Sequence, residues 1–215
     1  MALNLPYLMN VGIWVLVLLF SIIIHEVAHG YVALRNGDPT AKLAGRITLN
    51  PIPHIDLMGS IILPVLLLVA NSPFLFGWAK PVPVNPMNYR NLRWGEATVS
   101  LAGPGSNLLL AVMFALFYKL GLVLGMGGLG LAKLAETGMK VNVILAVFNL
   151  IPIPPLDGSH ILATMLPYNL ARLYAQLEPF GFIILLVLFY TGIISFILLP
   201  IYKVLLGLLV LLINL

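Results

Sequence analysis

The chain has 215 residues, of which 61% are hydrophobic and only 8% are charged, and its mean hydropathy is +1.07. Soluble domains are about one quarter charged, so this composition excludes an ordinary water-exposed surface and predicts a single integral membrane domain over residues 1–215. The small net charge of +4 argues against a nucleic-acid surface, and the absence of cysteine excludes disulfides and thiolate zinc sites.

Apolar segments suited to membrane helices recur along the chain, since a spanning helix needs about 20 residues. They cover residues 11–34, 55–70, 97–120, 141–156 and 180–215. The last segment is long enough for two helices, with breaks near Thr191-Gly192 and Pro200, although one kinked helix is an alternative. The sequence therefore predicts an all-α polytopic membrane protein with five or six transmembrane helices.

Two connecting segments have unusual compositions. Polar and apolar residues alternate within residues 41–50, which predicts a short β-strand or hairpin after the first helix. Residues 71–95 are rich in prolines and aromatics. This segment has too many prolines for a helix and is too apolar for a free loop. We expect a re-entrant or interfacial loop there, or one that lies on the protein.

The first apolar segment contains three ionisable residues, His25, Glu26 and His29. Each charge at the centre of a spanning helix costs about 2.5–3.5 kcal/mol on insertion scales. Histidines four apart share one helix face and can bind one Zn²⁺, while a glutamate turned about 100° away can act as a general base. A chance pattern, or histidines satisfied by backbone carbonyls, are the alternatives.

Asp157 is the candidate for a third ligand, because zinc hydrolases need three protein ligands. It follows Pro152, Pro154 and Pro155 in an apolar segment, and irregular backbone at membrane depth must be enclosed by protein or line a cavity. Gly158 would let the backbone approach the metal. Alone, Asp157-Gly158 is also an ordinary turn signature.

Five further residues have candidate roles near these motifs. Asn149 could donate to a substrate carbonyl or oxyanion, or could equally cap broken backbone. His54 could assist the oxyanion, serve as a spare ligand or be an interfacial histidine, and His160 is expected beside the ligands or facing solvent. Gly103 and Asn107, one helical turn apart, suit close helix packing with an interhelical hydrogen bond.

The two polar motifs together resemble those of the site-2 protease family of intramembrane zinc metalloproteases. His25-Glu26-x-x-His29 matches the family's HExxH, and residues 149–158 match its N-x-x-P-x-x-x-x-D-G position by position. Residues 103–107 resemble its G-x-x-x-N, and residues 78–93 look like the proline-rich segment of compact prokaryotic members that lack a PDZ or other soluble module. The similarity covers residues 20–162.

The resemblance implies one Zn²⁺ bound by His25, His29 and Asp157, with Glu26 activating water. It implies an endopeptidase in a prokaryotic cell membrane that cleaves transmembrane proteins or peptides. A helical substrate must unwind to expose a carbonyl, and residues 41–50 could offer an edge for it.

The sequence is also compatible with other classes of function. A metal-ion transporter or channel would also place His, Glu and Asp in the membrane. An aspartyl protease would need two membrane aspartates, and a serine protease would need a Ser–His pair, for which Ser106 is the nearest candidate. An inactive family member acting as a binding scaffold is the last alternative.

Overall fold

The computed structural model describes residues 5–69, 78–125 and 128–214, and these residues are mostly helical. The α-helices are α1 (Leu5–Asn36), α2 (Thr40–Leu43), α3 (Leu63–Val69), α4 (Leu92–Val123), α5 (Leu129–Asn149), α6 (Asp157–Met165), α7 (Tyr168–Ala175), α8 (Gly181–Tyr190) and α9 (Ile193–Asn214). There are also short 3-10 turns at Ile52–His54, Pro86–Asn88 and Glu178–Phe180, and a π-helical turn at Leu57–Ile62. Within the described ranges the chain forms no β-strand, which agrees with the predicted all-α class.

Four stretches are long and apolar enough to cross a membrane, so the helices are those of a multi-pass membrane protein. They are Met9–Asn36, Leu92–Val123, Tyr168–Tyr190 and Ile193–Asn214. This count from the described residues is lower than the five or six predicted. The segment at 55–70 forms only the π-helical turn and the seven-residue α3, with residue 70 outside the described part. Helix α5 has 21 residues but carries Lys133, Glu136 and Lys140.

The long C-terminal apolar tract forms two helices, as one of the two alternatives predicted. The break lies at Gly192, whose φ of 76° is in the left-handed region that favours glycine. Pro200 does not break the tract, because it lies inside α9. Membrane helices tolerate an internal proline when local adjustments and neighbouring groups satisfy the freed carbonyl.

The strand or hairpin predicted within residues 41–50 is not formed. Residues 40–43 are the short helix α2, and turns and bends follow as far as residue 50. A half-buried strand would bury its apolar side chains on one face, but Leu43 and Leu49 are 82% and 60% exposed. Tertiary contacts determine the path instead: Ala41 is buried against Gly30 of α1, and the Arg46 guanidinium donates to the Lys80 carbonyl.

The interior of the protein is organised around α4, which packs against α1, α5, α6 and α9. The buried side of α4 is made largely of small or polar residues. Lipid is as apolar as a leucine side chain, so close backbone approach and interhelical hydrogen bonds, rather than the hydrophobic effect, hold membrane helices together. This packing brings the first, fourth and sixth helices to one point.

The proline-rich connection lies on the protein, as one of the predicted alternatives, and is anchored beside α1. Of the predicted segment, residues 71–77 lie outside the described residues. Five backbone N–H groups of the remainder donate to acceptors elsewhere: Trp78 to the Gly59 carbonyl, Lys80 to the His54 carbonyl, Val82 to Glu26, Asn85 to Asp38 and Arg90 to the Asn36 carbonyl. These bonds hold an extended backbone across the polar residues of α1.

Candidate metal centre

Three side chains from two distant parts of the sequence meet inside the helix bundle. His25 and His29 lie one turn apart on α1, and Asp157 is the first residue of α6. The two Nε2 atoms are 3.1 Å apart, and each lies 3.2–3.3 Å from a different Asp157 oxygen. The prolines at 152, 154 and 155 interrupt the helical path between α5 and α6, and this break allows Asp157 to turn toward α1.

The arrangement fits a cation better than it fits the three side chains alone. Nδ1 of His29 lies 2.7 Å from the Val99 carbonyl, which can only accept, so Nδ1 carries a proton; in the neutral form of this ring the Nε2 lone pair faces the other ligands. Oδ2 of Asp157 is buried without a hydrogen-bond partner, although it lies 3.2 Å from Nε2 of His25. Two ligands at about 2.0–2.1 Å from a tetrahedral Zn²⁺ lie about 3.3 Å apart, close to the observed separations.

The histidine rings are held from behind by α4. Nδ1 of His25 lies 2.7 Å from Oδ1 of Asn107, so the predicted interhelical hydrogen bond of Asn107 is formed and ends on His25. Gly103 lies directly beneath both rings. A Cβ added there would come within 2.4 Å of Nε2 of His29 and 2.5 Å of Nε2 of His25. The G-x-x-x-N spacing therefore supplies space for both rings and a hydrogen bond to one of them.

Glu26 lines a cavity of about 360 Å³ together with the three converging side chains. Its Oε2 accepts a hydrogen bond of 2.7 Å from the Val82 N–H of the proline-rich segment. The cavity walls come from α1, α4, the end of α5, α6 and that segment, and they include both apolar and charged side chains. A polar space beside the candidate ligands gives water a place within the membrane domain.

Glu96 of α4 also lines this cavity, and it was not among the predicted site residues. Its Oε1 lies 3.3 Å from Nδ1 of His160, and this hydrogen bond raises the pKa of His160. His160 lines the cavity and its side chain is 45% exposed, so its position is compatible with both of its predicted positions. A signal for Glu96 was present, since it is the single acidic residue in the apolar sequence of α4.

Asn149 and Gly158, both in the motif at residues 149–158, make different kinds of contact. Asn149 lines the cavity, and its Nδ2 donates to the Leu145 carbonyl one turn earlier, so both of its predicted roles are compatible with its position. The approach of the Gly158 backbone to the metal stays a prediction. A Cβ there would meet the Leu150 carbonyl oxygen at 2.2 Å, so this glycine lets α6 approach the backbone of the preceding segment.

The remaining candidates lie elsewhere or have local partners. His54 is buried, is not among the residues that line the cavity, and has Nε2 2.9 Å from the Thr48 carbonyl. Ser106 donates to the Gly103 carbonyl within α4. Asp56 accepts from the Gly59 N–H and caps the start of the π-helical turn.

Comparison with known proteins agrees with this geometry. The sequence model of Peptidase family M50 matches residues 126–190. A Bacillus subtilis protein named "Putative zinc metalloprotease YwhC" is 42% identical over 91% of this chain and 85% of its own length. A protein named "Putative zinc metalloprotease Rip2" from Mycolicibacterium smegmatis is 35% identical over 84% of this chain and 69% of its own length.

The Mycobacterium tuberculosis protein of the same Rip2 name is also 35% identical, over 83% of this chain and 68% of its own length. No solved structure gives a significant match. These alignments cover 83–91% of the chain. The chain therefore belongs to peptidase family M50, the site-2 protease family, and is a zinc metalloprotease.

Proposed function

We propose that this metalloprotease cleaves peptide bonds in or near the transmembrane segments of other membrane proteins in a prokaryotic cell membrane. His25, His29 and Asp157 hold one zinc ion, and Glu26 is the general base. The observation that carries the proposal is the convergence of these side chains on one cavity inside a bundle of apolar helices. A protease with this placement meets its substrate within the bilayer.

The chemistry follows from the groups that face the cavity. Zinc, when bound, polarises the scissile carbonyl and makes water easier to deprotonate. Glu26 takes the proton from the attacking water and returns it to the leaving amine, because a carboxylate can act in both directions. The Val82 N–H fixes Oε2 of Glu26 and leaves Oε1 for the proton. Asn149 keeps a second amide N–H that can donate to the substrate carbonyl.

The substrate must reach this cavity in a non-helical form. A transmembrane helix hides each carbonyl in an i→i−4 hydrogen bond, so a local stretch has to unwind before water can attack it. Residues 41–50 do not provide the pairing edge once expected for that stretch, since they form no strand. The polar cavity walls solvate the freed peptide groups instead.

The test uses the purified protein in detergent with a model transmembrane peptide and a zinc assay. Glu26→Gln should keep stoichiometric zinc and lose about 10²–10⁴-fold in cleavage rate, the usual effect of a general base. Glu136→Gln is the control, because it removes a carboxylate that pairs with Lys133 and Lys140 outside the cavity.

Three results would contradict the proposal. Cleavage by Glu26→Gln at the wild-type rate would remove Glu26 from the reaction. Zinc movement into protein-loaded liposomes, with no peptide cleavage, would instead support the metal-transport alternative. Selective cleavage of a soluble unfolded peptide, with the transmembrane peptide left intact, would show that the protease acts outside the bilayer.

A further inference from the structure

Three polar side chains are completely buried behind His25 and line no part of the cavity. Ser21 of α1, Asn107 of α4 and Asn142 of α5 each have 0% exposure. Burying an amide or hydroxyl without a hydrogen bond costs several kcal/mol in an apolar environment. Packing alone would be served equally well by apolar residues of similar volume, so these side chains need another explanation.

Their hydrogen bonds form a chain that starts at a backbone carbonyl. Nδ2 of Asn142 lies 2.9 Å from the Gly138 carbonyl oxygen and 2.9 Å from Oγ of Ser21. Because a carbonyl can only accept, the Asn142 amide nitrogen must face Gly138. Its Oδ1 is therefore the atom that faces Asn107, where it accepts from Nδ2 at 2.9 Å.

The direction of Asn107 follows in the same way. Its Nδ2 faces two acceptors, Oδ1 of Asn142 and, at 3.4 Å, the Ser21 carbonyl. Its Oδ1 must then face His25, whose Nδ1 lies 2.7 Å away. An amide oxygen has no proton to donate, so Nδ1 of His25 carries one. The assignment needs no observed hydrogen atom, because two backbone carbonyls fix every orientation in the chain.

We propose that Asn142, acting through Asn107, is a positioning residue that holds His25 in the Nδ1–H tautomer and so keeps its Nε2 free to bind metal. The proposal rests on the metal role of His25 given above. His29 reaches the same tautomer by a shorter route, since its Nδ1 donates directly to the Val99 carbonyl. Outer partners of metal-binding histidines typically change metal affinity by about 10–100-fold.

The experiment measures the tautomer first, in protein stripped of metal. Histidine ¹⁵N spectra in detergent separate a protonated ring nitrogen from an unprotonated one, and single His→Gln variants assign the four histidines. Wild type should show His25 protonated at Nδ1 only. Asn107→Leu should shift His25 toward the Nε2–H tautomer and raise the zinc Kd about 100-fold, whereas Asn107→Asp keeps an acceptor and should restore both.

Asn142→Leu tests the more distant step. It should leave Asn107 free to turn, give a mixture of His25 tautomers and raise the zinc Kd about tenfold. His29 is an internal reference, since its bond to Val99 is outside the chain and its spectrum should not change. Thr137→Val, a buried hydroxyl change on the same helix as Asn142, should leave both readouts unaltered.

The outcomes separate this inference from the proposed function. Wild-type His25 protonated at Nε2, or Asn142→Leu with an unchanged tautomer and unchanged zinc affinity, would overturn the role of Asn142 even if the protein binds zinc and cleaves peptide. A wild-type protein that has the expected tautomer but binds no zinc would refute the metal centre and leave the hydrogen-bond chain standing.

Discussion

Helices α4 and α9 are both long and apolar, but they are packed by different means. The buried residues of α4 are mostly small or polar, namely Gly95, Val99, Ser100, Gly103, Pro104, Asn107, Leu110, Ala111 and Ala115. The buried residues of α9 are Ile194 and Leu209. Small residues let backbones approach and buried amides fix side-chain direction. Side-chain positions are therefore defined most precisely where α4 meets α1 and α5.

The largest effect should come from filling the space at Gly103. Gly103→Ala would place a methyl group within 2.5 Å of Nε2 of both histidines, so the rings must move off the position that serves a metal. We expect loss of bound zinc and a fall in peptide cleavage of about 10²-fold or more, as is usual for a misplacement near 1 Å. Zinc content and cleavage rate in detergent measure the two effects.

The matched control for that change is two residues further along the same helix. A Cβ at Gly105 would meet nothing within 4 Å, so Gly105→Ala should keep both zinc and activity. Equal loss in the two variants would mean that α4 tolerates no added methyl group, and that the contact with the histidines is not the cause.

Just after the end of α1, the buried Asp38 accepts four hydrogen bonds from Thr40, Asn85 and Asn88. Asp38→Ala leaves these donors unpaired, and we expect a loss of about 3 kcal/mol in the free energy of unfolding. Denaturation in mixed micelles measures it. Asp56→Ala, which removes a single helix-capping bond, should cost only about 1 kcal/mol; equal losses would contradict the assignment.

The same carboxylate gives a pH dependence of known sign. Burial by itself raises the pKa of Asp38, but hydrogen bonds from Asn88, Thr40 and Asn85 favour the carboxylate and lower the pKa below its ordinary value. The stability that Asp38 contributes is therefore complete above about pH 4, its unfolded value, and is lost as the pH falls through the lower folded value.

Unfolding of wild type and Asp38→Ala, measured from pH 6 downward, checks this sign. The difference between the two proteins should stay constant down to about pH 4 and shrink below it. A difference that grows on acidification would mean that the folded state favours the protonated carboxyl.

The candidate ligands could be predicted from the sequence, because a polar residue is costly in lipid and each one that is present therefore indicates a role. His25, His29 and Asp157 stand out in apolar segments, and the structure brings them together. Asn107 was predicted to make an interhelical hydrogen bond, but its partner on another helix depends on helix rotation, which the sequence does not specify. Asn142 was missed for the same reason, whereas Glu96 was missed although it is the single acidic residue in the apolar sequence of α4.

Elements shaped by tertiary contacts were predicted less well. The alternation at residues 41–50 indicated a strand, but the contacts of Ala41 and Arg46 determine a short helix and bends. The start of α5 was predicted about twelve residues too late. The first half of α5 is charged and was not predicted as an apolar segment, but Glu136 pairs with Lys133 and Lys140 at helical spacing.

The smallest predicted effects come from α9, where packing is looser. Leu209 is 8% exposed and packs on the cluster around Ala111 and Ala115, while its neighbour Leu208 is 57% exposed. Transfer of a side chain from lipid to the protein interior gains little, so Leu209→Ala should lose only van der Waals contacts, about 1–2 kcal/mol, rather than the larger cost of a soluble core. Leu208→Ala should stay within about 0.5 kcal/mol of wild type. Unfolding in mixed micelles compares them, and an equal loss in both would show that Leu208 also faces protein, which would make α9 part of a larger interface and remove its contrast with α4.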